Sequence, residues 1–301
     1  AVFFYFILVF DHLSQESYRL LVSLSFPLRA NAVLFLRSGI WAYLIVALWL
    51  FDVDSFMNIE AVLQFWLAGS VLSVLLAFYF LRKQILKISF KAAIDFAYIK
   101  KGLVTALPFF AGTIAYKIIE FSDRYMIDFW LGKEEVGIYT FFAGISNLVE
   151  VSVHTTVIMI FSPKLIETFQ KQRENFTSVF KPFRNYTALF TAIAAIGVCL
   201  IIIPILQYLD KQELNNSLNT FFMLAAGKVM LNLSLIYHYV LYVSKNDRQI
   251  MWSTIIGAIL NVGLNLWLIT SHGIFGAALA TFISFMAILV LKLALSKKVN
   301  G

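Results

Sequence analysis

Long runs of apolar residues, separated by shorter polar connections, dominate the pattern along this chain. A helix that crosses a membrane needs about 20 consecutive, mostly apolar residues, and eight runs reach this length, while a ninth at 1–10 is a stub. The eight runs are 32–51, 60–81, 103–131, 136–161, 186–208, 218–243, 249–269 and 273–294. They are too long for the alternating strands of about ten residues that build membrane barrels. The pattern therefore predicts an all-α polytopic membrane protein.

Three connections between the apolar runs are too long to be simple turns: 13–31, 82–101 and 162–185. Each mixes basic with apolar residues, a composition typical of amphipathic helices that lie at a membrane surface. We therefore expect interfacial helices in these three segments.

The connection 82–101 also marks a change in organisation. Two full spans and the stub precede it, and six spans follow it. We expect residues 1–95 to form the C-terminal part of a first helix bundle with a cytoplasmic linker, and residues 96–301 to form a second, six-helix bundle. Since the chain begins within an apolar run and without a methionine, we expect further spans to precede it.

The composition agrees with a chain that lipid covers. Hydrophobic residues make up 60% and charged residues 14% of the sequence, whereas a soluble domain carries about 25% charged residues. This composition excludes a soluble enzyme, and its hydrophobicity excludes a disordered chain. The single cysteine, Cys199, lies in an apolar run, which excludes a disulfide framework and a cysteine-based metal site.

Lysine and arginine concentrate on one side of the predicted membrane. Alternate connections, together with the C-terminal tail, hold eighteen of these residues, while the opposite connections hold only Lys133 and Lys211. Basic loops stay in the cytoplasm, so we expect a cytoplasmic C-terminus. This topology accounts for the formal charge of +7, and we expect no nucleic-acid partner.

Several ionisable or polar residues lie inside the predicted spans. The basic ones are Arg37, Lys117, Arg124 and Lys228. The others are Glu120, Asp123, Asp128, Asn147, Glu150, His154, Asn232, Asn261 and Asn265. A charged group at the bilayer centre costs roughly 2.5–3.5 kcal/mol on insertion scales, so these side chains should face protein or water and not lipid.

The spacing of these residues places them on common helix faces. Lys117, Glu120, Arg124 and Asp128 follow one another at i, i+3, i+7 and i+11, which stacks them on one face. The same kind of spacing relates Asn147 to Glu150 and His154, Lys228 to Asn232, and Asn261 to Asn265. Repeated polar stripes predict a bundle around a hydrated, cationic lumen.

Structural roles for the same residues stay open. Glu120 has the spacing for an ion pair with Lys117 or with Arg124, and Asp128 has it for Arg124. Because the run 103–131 is longer than a bilayer core is thick, Arg124 and Asp128 also fit an outer mouth. Asparagines within spans also serve as contacts between helices, an alternative that applies to Asn261 and Asn265.

The sequence lacks the usual catalytic motifs. It has no Gly-rich phosphate loop of the Walker type, no His-Glu-x-x-His motif and no cysteine-rich segment. We therefore expect neither enzyme activity, nor a cofactor, nor a metal site. Transport driven by an ion gradient or by the substrate's own gradient is the function that fits a charged lumen.

Two stretches resemble a known family. The first reads Phe-Ser-Asp-Arg-Tyr-Met-Ile at 121–127, followed by Leu-Gly at 131–132 and Val-Gly-Ile-Tyr at 136–139. The second includes Leu-Asn-Val-Gly-Leu-Asn-Leu at 260–266 and Gly-Ala-Ala-Leu-Ala-Thr at 276–281. Both resemble polysaccharide and O-antigen flippases of the multidrug/oligosaccharidyl-lipid/polysaccharide exporter superfamily, although Thr270 stands where that family usually has proline.

The resemblance implies two six-helix bundles around a central cavity, the first incomplete here, that work by alternating access. It implies a protein of the bacterial inner membrane that flips undecaprenyl-pyrophosphate-linked oligosaccharides for O-antigen, capsule or exopolysaccharide synthesis. Other polysaccharide assembly proteins and membrane lipids are the expected partners. The pyrophosphate would bind the four basic residues of the spans, and Glu120, Asp123 or Glu150 would carry a coupling H⁺ or Na⁺.

Two other functions remain as alternatives. A cation-coupled multidrug antiporter of the same superfamily would need an acidic cavity, and the four basic residues argue mildly against it. A polytopic glycan polymerase or glycosyltransferase would need a large outer loop or a catalytic acidic motif, yet the predicted outer connection at 52–59 is short.

Overall fold

A computed structural model describes residues 2–24, 26–51, 53, 56–85 and 95–300. The described residues are almost entirely helical and include no strand. This confirms the prediction of an all-α protein. The chain divides into two compact units, Ala1–Ile94 and Asp95–Gly301.

Among its described residues, the N-terminal unit has four α-helices. They are α1 (Val2–Ser23), α2 (Pro27–Phe35), α3 (Trp41–Leu50) and α4 (Ile59–Ile85), with a π-helical turn, Leu36–Ile40, between α2 and α3. Proline suits the first turn of α2, where the missing N–H has no helical partner to lose. Buried apolar side chains of α1, α2 and α4, among them Leu21, Val33 and Ala77, form the core of this unit.

The C-terminal unit contains the remaining helices. They are α5 (Phe96–Leu131), α6 (Lys133–Val153), α7 (Met159–Lys171), α8 (Phe176–Leu209), α9 (Gln212–Asn216), α10 (Leu218–Val243) and α11 (Asp247–Asn300). A π-helical turn, His154–Ile158, joins α6 to α7. The carboxylate of Asp95 caps the start of α5 by accepting from the N–H groups of Ala97 and Tyr98, and α5 continues through Pro108.

Seven helical segments of the described chain are long and apolar enough to cross a membrane. They are Leu28–Leu50, Ile59–Arg82, Phe96–Leu131, Lys133–Lys171, Arg173–Leu209, Leu218–Val243 and Asp247–Lys297. The prediction of eight full spans differs at the C-terminus, because the runs 249–269 and 273–294 both lie in α11. Gly273 separates them with a φ of 60°, a conformation that glycine adopts without steric cost.

The structure shows helices in two of the three connections where interfacial helices are expected. In 13–31, α1 continues from the stub to Ser23, and α2 begins only four residues later, so one face of the polar segment packs against α4. In 162–185, α7 continues to Lys171 and α8 begins at Phe176. The third connection falls largely on residues 86–94, which lie outside the described residues.

The core of the C-terminal unit lies between α6, α8, α10 and α11. Its largest fully buried side chains include Tyr139, Phe142 and Phe221. Gly276, just after the break in α11, permits the closest backbone approach, because a Cβ there would lie 2.0 Å from the carbonyl oxygen of Leu268. This contact brings the two halves of α11 close together, and the core packs the second half of α11 against α6, α8 and α10.

Candidate functional site

A polar cavity of about 160 Å³ lies inside the C-terminal unit, where α5, α6, α10 and the second half of α11 meet. Its lining comprises Ile119, Glu120, Asp123, Arg124, Tyr139, Thr140, Ala143, Gly144, Ser146, Asn147, Leu224, Lys228, Thr281 and Phe285. Four sequence-predicted charged residues meet here from two helices that are far apart in sequence. We call this space the charged cavity.

Arg124 enters the charged cavity from α5 and is held by its neighbours. Its Nε lies 3.3 Å from the hydroxyl oxygen of Thr140, and its Nη1 donates to the backbone carbonyl of Glu120. The carboxylate of Asp123 lies 3.6 Å from Nη1. These contacts fix the guanidinium with its Nη2 edge unused by the described residues, so that edge is available to an anion.

Asp123 is the most deeply buried charged residue of the site, with 3% of its surface exposed. Its carboxylate accepts hydrogen bonds from the hydroxyl of Tyr139 and, at 2.8 Å, from the backbone N–H of Arg124. A buried carboxylate is tolerated only when hydrogen bonds and an opposite charge compensate its lost hydration. Asp123 therefore joins α5 to α6 and positions Arg124.

Lys228 enters from α10 and makes a second charged contact across helices. Its Nζ lies 2.5 Å from Oε2 of Glu150 and 2.9 Å from the side-chain oxygen of Asn147, both on α6. The hydroxyl of Tyr116 on α5 donates to the same carboxylate, at 2.9 and 3.0 Å from its two oxygens. Only 11% of the Lys228 side chain is exposed, so this network ties three helices together.

Lys117 lies next to the charged cavity but does not line it. Its Nζ is 2.6 Å from Oε2 of Glu120, and 55% of the side chain is exposed. The rings of Phe121 and Tyr116 lie 5.2 and 5.9 Å from the ammonium group. The ion pair between Lys117 and Glu120, one of the alternatives left open by the spacing, is therefore present.

The asparagines of the spans divide into two kinds. Asn147 lines the charged cavity, whereas Asn232, Asn261 and Asn265 are fully buried. Asn232 donates to the backbone carbonyl of Val149 on α6, and Asn265 donates to Asn261 within α11. These three residues make contacts within and between helices. This is the structural role that the sequence left open for Asn261 and Asn265.

Three sequence-predicted residues lie away from the charged cavity. Arg37 belongs to the N-terminal unit, where its Nε is 3.3 Å from the carboxylate of Asp11. Asp128 and His154 are exposed and are not among the lining residues. Arg124 contacts Asp123, and the structure shows no ion pair between Arg124 and Asp128 in the part of the chain that it describes.

The lining carries balanced charge where the sequence predicts a cationic lumen. Arg124 and Lys228 contribute two positive charges, and Glu120 and Asp123 contribute two negative charges. Because an unpaired charge inside a membrane protein is costly, each base has an acid beside it. Within the described residues, no group of three or more His, Cys, Asp or Glu is arranged to hold a metal ion.

Sequence reasoning missed the hydroxyl groups of the site. Tyr116 and Tyr139 donate to Glu150 and Asp123, and Thr140 contacts Arg124. A signal for Tyr139 exists, since it ends the Val-Gly-Ile-Tyr motif at 136–139. Tyr116 lies four residues before Glu120, on the same helix face.

Comparisons with known proteins agree with this architecture. The model of the family described as "Polysaccharide biosynthesis protein" matches residues 1–169. No curated protein sequence matches the chain significantly.

Two solved structures have a similar fold. The crystal structure of a MATE point mutant superposes with a TM-score of 0.72 and 13% sequence identity, covering 97% of this chain and 66% of that one. The lipid II flippase MurJ in its inward closed conformation superposes with a TM-score of 0.70 and 17% identity, covering 96% of this chain and 60% of that one. The chain thus spans somewhat less than two thirds of each structure. The chain shares the all-helical fold of MATE and MurJ. Because the family model matches more than half of its length, the chain belongs to the polysaccharide biosynthesis protein family.

Proposed function

We propose that the protein flips undecaprenyl-pyrophosphate-linked oligosaccharides from the cytoplasmic to the periplasmic leaflet of the bacterial inner membrane. The glycan would serve O-antigen, capsule or exopolysaccharide synthesis. Family membership and the fold shared with a lipid II flippase support this proposal. The basic connections and C-terminus then face the cytoplasm.

The observation that carries the proposal is the meeting of Arg124 and Lys228 in one cavity within a membrane-spanning unit. An arginine binds phosphate oxygens through parallel N–H donors, and a lysine binds them as a point charge. The cavity is small beside the 300–1,000 Å³ that hold most organic ligands. It fits a phosphate group and not an oligosaccharide. The part of the substrate that binds in the cavity is therefore the charged linkage between lipid and glycan.

The mechanism begins when both cations bind the pyrophosphate. An arriving pyrophosphate binds the unused edge of Arg124 and competes with Glu150 for Lys228. Alternating exposure of the site to the two leaflets then carries the head group across while the prenyl tail stays in lipid. The carboxylates of Glu120, Asp123 and Glu150 are the groups that would bind a coupling H⁺ or Na⁺.

The test is a leaflet-translocation assay with the full-length protein in proteoliposomes that contain a prenyl-pyrophosphate-linked oligosaccharide. The double variant Arg124→Ala, Lys228→Ala should lose at least about 90% of the transport rate, because the linkage has lost two charge-assisted contacts. Lys171→Ala is the matched control, since it also breaks a lysine–glutamate pair, but on an exposed surface. Wild-type rates in the double variant at equal protein level would refute the proposal.

A cation-coupled multidrug antiporter is the second candidate, and the acidic half of the lining favours it. Glu120 and Asp123 face the same cavity as the two bases, and carboxylates attract cationic cargo. This function predicts that the full-length protein extrudes a lipophilic cation such as ethidium and that Asp123→Asn abolishes the extrusion. Ethidium efflux without any translocation of the lipid-linked glycan would favour the antiporter.

A further inference from the structure

An entirely apolar groove of about 630 Å³ runs along the surface of the C-terminal unit, between α5 and α11. Its α5 side extends from Leu107 to Ile118, and its α11 side extends from Ile255 to Val262. At 1.5 Å per residue, the α5 side is about 16 Å long. We call this the prenyl groove.

Alternating small and large side chains give the prenyl groove its depth. Ala111 and Ala258 line the bottom of the groove. Phe110 and Ile259 form its sides, and 63% and 69% of their surfaces are exposed. Such a channel favours a flexible hydrocarbon chain, because a narrow apolar guest contacts both walls and the floor. Its volume falls within the range of 300–1,000 Å³ that is usual for ligand sites.

A cation lies at one end of the prenyl groove. Ile114 and Ile118 also line a second depression, of about 470 Å³, which includes Lys117. The Lys117 side chain is 55% exposed, and its carboxylate partner is Glu120. An exposed ammonium group within an apolar span is costly, and an anionic head group beside the groove would compensate that cost.

We propose that the prenyl groove binds the isoprenoid chain of a lipid whose pyrophosphate pairs with Lys117. The inference rests on the proposed function and deepens it by giving the lipid tail a site. Arg124 follows Lys117 by seven residues, or about 10 Å along α5. Lys117 is thus an entry contact from which the pyrophosphate passes to the charged cavity while the tail keeps its place.

The test measures binding of farnesyl pyrophosphate and undecaprenyl pyrophosphate to the purified full-length protein. The wild type should prefer the longer chain, and Ala111→Trp, which fills the groove, should reduce that preference by about tenfold, because it removes the burial of a few methylene groups. Ala192→Trp is the matched control, since Ala192 is exposed on α8 and lines no part of the groove. It should leave the preference unchanged.

A second variant tests the head-group contact. Lys117→Gln should weaken the binding of undecaprenyl pyrophosphate by about tenfold, as expected for a lost charge-assisted contact. It should leave the binding of uncharged undecaprenol unchanged. Lys133→Gln, at an exposed lysine on α6, is the control and should affect neither ligand.

Photo-crosslinking keeps the test independent of any substitution. A diazirine on the prenyl chain should label residues 107–118 and 255–262 of the wild type. Labelling elsewhere, an unchanged chain-length preference in Ala111→Trp, or equal competition by phosphatidylglycerol would overturn the groove and leave the proposed function standing. Failure of the wild type to bind any prenyl pyrophosphate would overturn both.

Discussion

Substitution of Lys228 by alanine would leave the carboxylate of Glu150 inside the helix bundle without the cation that it faces at 2.5 Å. Removing one partner of a fully buried pair costs about 3–5 kcal/mol. Glu150 is 26% exposed and keeps the hydrogen bonds from Tyr116, so we expect a smaller loss of about 2–3 kcal/mol in the free energy of unfolding.

The assay is thermal unfolding of the full-length protein in detergent. For a folding unit of 150–250 residues, such a loss lowers Tm by about 4–12 °C. The double variant Lys228→Met, Glu150→Gln replaces the pair by neutral groups of similar size and should recover most of the difference. Lys171→Ala, which breaks an exposed pair with Glu167, should change Tm by no more than about 2 °C.

Two results would contradict this reasoning. One is a Tm of Lys228→Ala equal to that of the wild type, which would mean that Glu150 needs no cation. The other is a double variant no more stable than the single one, which would mean that neutral groups of similar size do not replace the contacts of this pair.

Two further substitutions test the supports of the charged cavity by the same measurement. Tyr139→Phe removes the hydroxyl that donates to buried Asp123 and should cost about 1.5–3 kcal/mol, while Tyr125→Phe, at a 77% exposed ring, should be neutral. Gly276→Ala places a Cβ 2.0 Å from a backbone oxygen and should lower Tm by several degrees, whereas Gly263→Ala, with open space around it, should raise Tm slightly because alanine favours a helix. A stable Gly276→Ala, or equal losses at both tyrosines, would contradict the described packing.

Contacts within one helix could be predicted from the sequence. The spacing of Lys117 and Glu120 predicts an ion pair as one alternative, and the two groups lie 2.6 Å apart. The pair of Lys228 with Glu150 could not be predicted from the sequence, because it depends on which faces α10 and α6 turn toward each other. In a membrane protein, lipid-facing and core-facing positions are equally apolar, so the pattern of hydrophobic residues does not fix that rotation.

The same ambiguity explains the position of Asp123. The sequence places it beside the polar stripe of α5, yet it is more buried than any member of that stripe. The buried face of α5 follows Ala115, Ile119, Asp123 and Ile127, each four residues after the last. Three of these four are apolar and resemble lipid-facing residues, so only the tertiary contacts identify the inner face.

Pro108 gives α5 a place of preferred bending. Proline has no N–H to donate to the carbonyl of Val104, so the helix is weakest at that turn. Arg124 lies 16 residues beyond it, or about 24 Å along the axis, so a bend of 10° moves its backbone by about 4 Å. That distance exceeds the length of a hydrogen bond. A small change of angle near one end of α5 is therefore enough to assemble or separate the cationic contacts that meet in the cavity.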